Sequence, residues 1–414
     1  MKNYTCVVAA AIVIAICAQT VGSESGRISH NPERTAKHDT GEPGAPDLIT
    51  SPGWHQIVGT ALKGGPKNAS PCPPNDFNGY RYSYADACGG VIIAWSSATV
   101  DPQRNRLILW GGGHTDYAGN EIYSLELSAN PPKLIRLNPP SPPNTTRACV
   151  ETLSDGRPNS RHTYDSLAYL PNQDEMFSSG GSLNACGFAG NATWTLQLSS
   201  VLASCAPNCS AIWTKQNPKN VPAANYGITT AYDTVQNILW LNDDNNLWSY
   251  DPVANQFTKR ASVSSCYHGT AVFDPADQYF IHIDGCTPKL SYWSTAGKSS
   301  LNQKNPAVDA SCEGLFSSSL NGNSGYPGVV WDPIDKAVVA YPNAGNVLYL
   351  LHPKTWTCTT ETYGSTQGVD YPQDNAPTEG GGTFKHFNYF PKLDLYVLCN
   401  DPRSDCWYLS RRRN

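Results

Sequence analysis

Ser96 to Gly113 reads SSATVDPQRNRLILWGGG. A short apolar run meets Asp101-Pro102, crosses a polar stretch, and resumes as Leu107-Ile108-Leu109-Trp110 before three glycines. Runs of this length, bounded by Asp, Pro and Gly, predict strand–turn–strand. The unit recurs as DSLAYLPNQDEMFSSGG (Asp165–Gly181), TTAYDTVQNILWLNDD (Thr229–Asp244), TAVFDPADQYFIHIDG (Thr270–Gly285), GVVWDPIDKAVVAYPN (Gly328–Asn343) and FNYFPKLDLYVLCND (Phe387–Asp401). Each is followed by a third candidate strand: NEIYSLEL, ATWTLQL, NLWSYDP, KLSYWST, NVLYLLHP and CWYLSR. Amphipathic helical periodicity is essentially missing. Repetition at this spacing is the signature of an array in which every unit buries its faces against its neighbours.

The last unit ends after its third strand. GWHQIVGTAL (Gly53–Leu62) has the character of the missing outer strand, so both termini would close the ring and remove the open sheet edge. The reading is therefore all-β, a propeller of six four-stranded blades over 53–414, with room for a seventh in Ala307–Ser324 or Lys63–Gly90. The glycine ends Gly111-Gly112-Gly113 and Gly180-Gly181, with Trp or Tyr in the third strand, resemble the kelch repeat family. That resemblance covers most of the chain and implies four-stranded blades.

Lys2 and the apolar run Cys6–Ala18, followed by small residues at Val21-Gly22-Ser23, read as a secretory signal over 1–23, with 24–52 as an N-terminal segment. The apolar run is too short to span a bilayer. Its removal takes two cysteines, and 14 − 2 = 12 remain, an even number that favours disulfides in a secreted chain. Local pairs Cys205–Cys209, Cys266–Cys286 and Cys399–Cys406 are expected. Zinc–thiolate sites need closely spaced ligands, and no CxxC pair occurs. Asn68, Asn144, Asn191 and Asn208 head glycosylation sequons. The net charge is −5 and the only basic run is Arg411-Arg412-Arg413, which argues against a nucleic-acid partner. Charged residues are only 15%, while 22 Tyr and 11 Trp offer rigid surfaces for sugars. No membrane partner and a monomer are expected.

Up-and-down blades place the connection entering each first strand at the same end as the loop between the second and third strands. Six residues before the end of each first strand stand Trp95, Tyr164, Gly227, His268, Tyr326 and Phe384. Side chains two apart on a strand point the same way, so His162 joins Tyr164 and His386 joins Phe384, with Arg161, Tyr267 and Lys385 alongside. The loop Gly113-His114-Thr115-Asp116-Tyr117, continuing to Asn120-Glu121, opens at that end too. Four of the nine histidines (His114, His162, His268 and His386) are thus expected at one mouth.

A β-elimination at uronic acid would suit this set: Arg161 against the carboxylate, His114 or His162 as base, Tyr164 or Tyr117 as acid, and Trp95, Tyr267, His268, Tyr326, Lys385 and His386 holding the sugar. The set is similar in outline to the propeller lyases acting on ulvan and related acidic glycans, which use His, Tyr and Arg. The function read from the sequence is a secreted polysaccharide lyase with an acidic polysaccharide as substrate and no required cofactor. A structural calcium in the oxygen-rich loop is compatible with the composition. Two other readings are a non-catalytic glycan- or protein-binding propeller and a copper-radical oxidase, since Cys266-Tyr267-His268-Gly269 resembles the Tyr-His ligand pair of the galactose oxidase family. A glycosidase would draw its paired carboxylates from Asp116, Glu121, Asp284 and Glu313.

Overall fold

The computed structural model describes residue 48 and residues 51–144, 148–265, 269–285, 287, 289–297, 301–317, 326–342, 345–364, 371–372 and 381–411. They form a six-bladed β-propeller. The blades run through Ser97–Asp101, Arg106–Trp110, Tyr123–Glu126 and Lys133–Arg136 (blade 1); Ala168–Leu170, Glu175–Ser179, Thr193–Gln197 and Trp213–Lys215 (blade 2); and Thr229–Asp233, Ile238–Asn242, Asn246–Asp251 and Gln256–Ser262 (blade 3). They continue through Thr270–Asp274, Tyr279–Ile283 and Leu290–Ser294 (blade 4), then Gly328–Asp332, Ala337–Tyr341, Val347–His352 and Thr357–Thr362 (blade 5). Blade 6 takes Phe387–Phe390, Leu395–Leu398 and Trp407–Ser410, and its outer strand is Gly53–Gln56. The register of that closure pairs Gly53 with Ser410 and Gln56 with Trp407. In blade 4 the outer strand is reduced, among the described residues, to one bridge between Tyr292 and Lys304. The span 63–90 is no seventh blade: it carries the short helices Tyr84–Ala87 and Gly90–Ile93 instead. The described part of 307–324 is likewise helical, at Ala310–Cys312 and Glu313–Ser317.

An Asp at the end of the first strand explains where the first hairpin turns in blades 1, 3, 4 and 5; Leu170 and Phe390 stand there in blades 2 and 6. Asp233 Oδ1 accepts the amides of Val235 and Gln236, both at 2.8 Å. Asp274 and Asp332 do the same for the amides two and three residues ahead. The fourth residue after the end of the first strand then takes a left-handed conformation in every blade, at Asn105, Asp174, Asn237, Gln278, Lys336 and Asp394. Asn and Asp tolerate that region best, which accounts for their frequency at this position.

First strands touch one another in sequence around the ring, and blade 6 touches blade 1. Each blade therefore packs face to face with its neighbours through alternating apolar side chains, giving a ring of buried clusters rather than a single core. Cross-links between blades are ionic as well. Arg411 is 6% exposed and reaches Asp332, Asp335 and Glu361 of blade 5, with its Nε at 2.8 Å from Glu361. Five disulfides lie among the described residues: Cys72–Cys88, Cys149–Cys186, Cys205–Cys209, Cys312–Cys358 and Cys399–Cys406. Two match the expected local pairs, while Cys266 and Cys286 lie outside the described residues. So does the expected signal segment 1–23. No helix among the described residues is long and apolar enough to cross a membrane.

Arg411→Ala would strand three carboxylates at the blade 5–6 junction. The expected cost is about 3–5 kcal/mol of unfolding free energy, measured by denaturant unfolding.

Candidate functional site

Glycines at the ends of the second strands of blades 1 and 2 make the site possible. At Gly113 an added Cβ would meet the Arg161 Cα at 2.0 Å, and at Gly181 it would meet the His162 carbonyl oxygen at 2.2 Å. Gly112 has φ +115°, which side chains rarely adopt. With no Cβ in the way, the segment Arg161-His162 crosses directly over the end of blade 1. It pairs there with Ser182-Leu183, and the His114 amide donates to the Ser182 carbonyl at 3.2 Å. This crossing brings His162 of one blade against the His114–Asp116 loop of the other.

The result is a stacked array. The His114 and His162 rings lie 5.3 Å apart at 20°, and Trp95 covers His162 at 5.1 Å. Tyr164 meets His162 edge-on at 5.8 Å. The His162 Nε2 is 2.7 Å from the Asp116 Oδ2. Burial pulls the His162 pKa below its ordinary value, against the opposing pull of the Asp116 carboxylate. The ring is therefore neutral near pH 7. With Nε2–H donated to Asp116, its lone pair is on Nδ1. His114 and Asp116 are exposed, whereas His162 is 3% exposed, so the pair runs from solvent into the wall of the mouth.

Beside it, Tyr164, Tyr326 and Phe384 form a cluster with Trp95 packed against it, and Tyr326 stacks on Phe384 at 5.1 Å. Trp95, Tyr164 and Phe384 occupy corresponding positions in blades 1, 2 and 6, and all three have positive φ, at 42°, 48° and 42°. Bulky residues avoid this region, so the conformation is strained and is held by its surroundings. The Tyr164 amide donates to the Trp95 carbonyl at 2.6 Å, linking two of these residues.

The remaining expected residues lie elsewhere. Arg161 is fully buried: it bonds Glu151 at 3.1 Å, the Gly180 carbonyl at 3.0 Å and the Asn159 carbonyl at 3.2 Å, and lies over the Trp110 ring. Burial works against the Glu151 charge, but Arg161 and the amides of Ala192 and Asn191 outweigh it and hold its pKa low. Arg161 is a brace between blades and presents nothing to a substrate carboxylate. Tyr117 is also buried, donating with Tyr123 to a single oxygen of Glu121. Burial raises the pKa of this carboxyl against both hydroxyls. Glu121 is thus bound to phenols, Asn120 to Ser141 and Pro158, and Asp116 to His162. His386 is a core residue with Nδ1 at 3.1 Å from the Thr383 carbonyl, its pKa driven down to about 4 by burial. Lys385 leaves the mouth for the central channel, where its side chain is 14% exposed. Tyr267 and His268 lie outside the described residues. Among the described residues, no three His, Cys, Asp or Glu side chains converge as a metal site.

Asp116 gained its role only in the structure. The sequence offered it as one oxygen-bearing loop residue among several, and nothing in its spacing linked it to His162.

No family model and no curated protein matches the chain. Solved structures similar to it include a protein of unknown function from Bacteroides thetaiotaomicron VPI-5482, 13% identical. That match covers 86% of this chain and 75% of the other, with a TM-score of 0.47. A gluconolactonase from Xanthomonas campestris is 10% identical, over 76% of this chain and 85% of the other, with a TM-score of 0.43. Likeness at this level says nothing about chemistry.

Two outcomes test the geometry. Asp116→Asn removes the charge that favours the imidazolium, so the His162 pKa measured by NMR titration of its ring protons falls further. Arg161→Ala leaves Glu151 unpaired at a blade junction and lowers unfolding free energy by about 3–5 kcal/mol, read from chemical denaturation.

Proposed function

We propose that this chain is a secreted glycan-processing enzyme whose base is His162, oriented by Asp116, and that its reaction is β-elimination at uronic acid residues. The observation that carries this reading is the geometry of His162, clamped between Trp95 and His114 with one nitrogen tied to Asp116. A neutral imidazole just beneath the exposed His114–Asp116 loop is suited to taking a carbon-bound proton near neutral pH. Elimination breaks the C5–H bond and then the C4–O bond, so it needs a base, a partner for the carboxylate and a proton for the leaving oxygen.

His162 supplies the base through Nδ1. With Arg161 committed to Glu151, the carboxylate partner falls to His114, the exposed ring nearest His162, through a ring N–H. Tyr164, edge-on to His162, stands on the leaving-group side. Trp95, the partly exposed member of the aromatic cluster, supports a sugar face beside the base, with Tyr164, Tyr326 and Phe384 packed behind it. A secreted location rests on the leader-like first 23 residues and accords with the five disulfides.

The test is ultraviolet absorbance of the 4,5-unsaturated uronate released from a panel of uronic-acid polysaccharides. Wild type is expected to produce it. His162→Ala loses at least about 100-fold in rate, the scale of a general base, and His114→Ala mainly raises KM. The rate rises with pH through the His162 pKa, below 6.5, and Asp116→Asn moves that limb to lower pH. Glycan binding without product on any substrate overturns the enzyme reading in favour of a binding propeller.

A further inference from the structure

The channel holds a second built site, away from the histidines. Lys385 enters it from the segment leading into blade 6, and its Nζ lies 2.6 Å from the Asp165 carbonyl oxygen and 2.7 Å from that of Leu167. The carbonyl of Thr230 is at 2.9 Å and the Thr230 hydroxyl at 2.6 Å. The Asp165 carboxylate is the nearest counter-charge, at 3.7 Å. An ammonium has three N–H bonds, yet four oxygens surround it within hydrogen-bond distance. This is how oxygens gather around a charge, and carbonyls, a hydroxyl and a nearby carboxylate are the donor set of a hard cation.

The surroundings make the charge necessary. Asp165 is 1% exposed, and its carboxylate accepts the amides of Ala271 at 3.1 Å and Thr230 at 3.4 Å. Lys385 and Asp165 together therefore tie blade 6 to blades 2, 3 and 4 across the axis. A cavity of about 510 Å³ reaches Lys385 from the end of the propeller opposite the histidines. Its wall includes Tyr169, Tyr232, Phe273 and Trp331, one from each of four successive blades.

We propose that the channel is a small-cation site that the chain fills with its own primary ammonium. Lys385 is the ligand of this site, held by the inner strands of blades 2 and 3, and the ring is locked by the charge at its axis. Shortening Lys385 leaves a cradle that accepts a free cation of the same chemistry, a primary ammonium or potassium ion, entering through the apolar cavity. The inference is independent of the reaction at the histidine mouth.

The experiment compares melting temperatures of wild type, Lys385→Ala and Lys385→Met. Each is measured in potassium, ammonium, propylammonium and tetrapropylammonium chlorides at equal ionic strength. Lys385→Ala is expected to melt several degrees below wild type, and to recover in propylammonium, and in part in ammonium or potassium. Tetrapropylammonium, too bulky for the cradle and without N–H bonds, gives no recovery. Lys385→Met fills the space without a charge, melts low and does not recover. Adding Asp165→Asn to Lys385→Ala abolishes the recovery. Should Lys385→Ala fail to fold, its refolding yield in the same salts is the readout, and recovery only with the small cations supports the proposal. Lys385→Met as stable as wild type, or Lys385→Ala indifferent to every cation in both readouts, overturns it.

Discussion

A propeller blade ends at the axis in a strand with one unpaired edge, and the backbone groups on that edge must be satisfied where little water reaches them. Lys385 and Asp165 meet this constraint from opposite sides: the ammonium takes edge carbonyls of blades 2 and 3, the carboxylate takes edge amides of blades 3 and 4. Both ions are desolvated. Burial lifts the Asp165 pKa to about 7 despite the neighbouring ammonium, and burial lowers that of Lys385. Removing either ion would leave the other buried and unpaired.

Around that axis the blades are joined by apolar faces and by a few buried ion pairs at their seams. Arg411 joins blades 5 and 6, Arg104 bridges Asp101 and Asp174 between blades 1 and 2, and Arg161 holds Glu151 under the mouth. The mouth is built on one of these seams. Because Gly113 and Gly181 let the Arg161-His162 segment cross the end of blade 1, a brace and a base stand on adjacent residues. Arg161 turns into the seam and His162 turns to Asp116. Strain concentrates in the same place, in the left-handed Trp95, Tyr164 and Phe384, whose rings are thereby held beside the base.

The repeat was legible because strand edges are local events. Asp or Pro at the turn, most often Asn or Asp at the left-handed position, and short apolar runs set the first hairpins at the expected places. The outer strand Gly53–Gln56 followed from the shortage at the other terminus. The convergence of His114, His162, Tyr164, Trp95 and Tyr326 followed from up-and-down order, which determines the end of a blade that a residue occupies; strand parity did not carry it, because Trp95 and Tyr164 have left-handed φ and Phe384–His386 is a 3-10 turn that buries His386 in the core. The short helices of 84–93 were missed, being too brief to show a helical period.

The sequence by itself determined the blades, their order and the end at which the aromatic and histidine residues gather, because these depend on local turn chemistry and on a period of two. Tertiary structure alone decided which of neighbouring side chains faces the mouth and which faces a seam. Arg161, Tyr117, Lys385 and His386 share the mouth's sequence neighbourhood, yet none faces it: Tyr117 and His386 are buried on nearby Glu121 and Thr383, while Arg161 and Lys385 are held by partners from distant segments. Such partners, Glu151 for Arg161 and the blade 2 and 3 carbonyls for Lys385, are set by how blades meet, and no spacing along the chain encodes them.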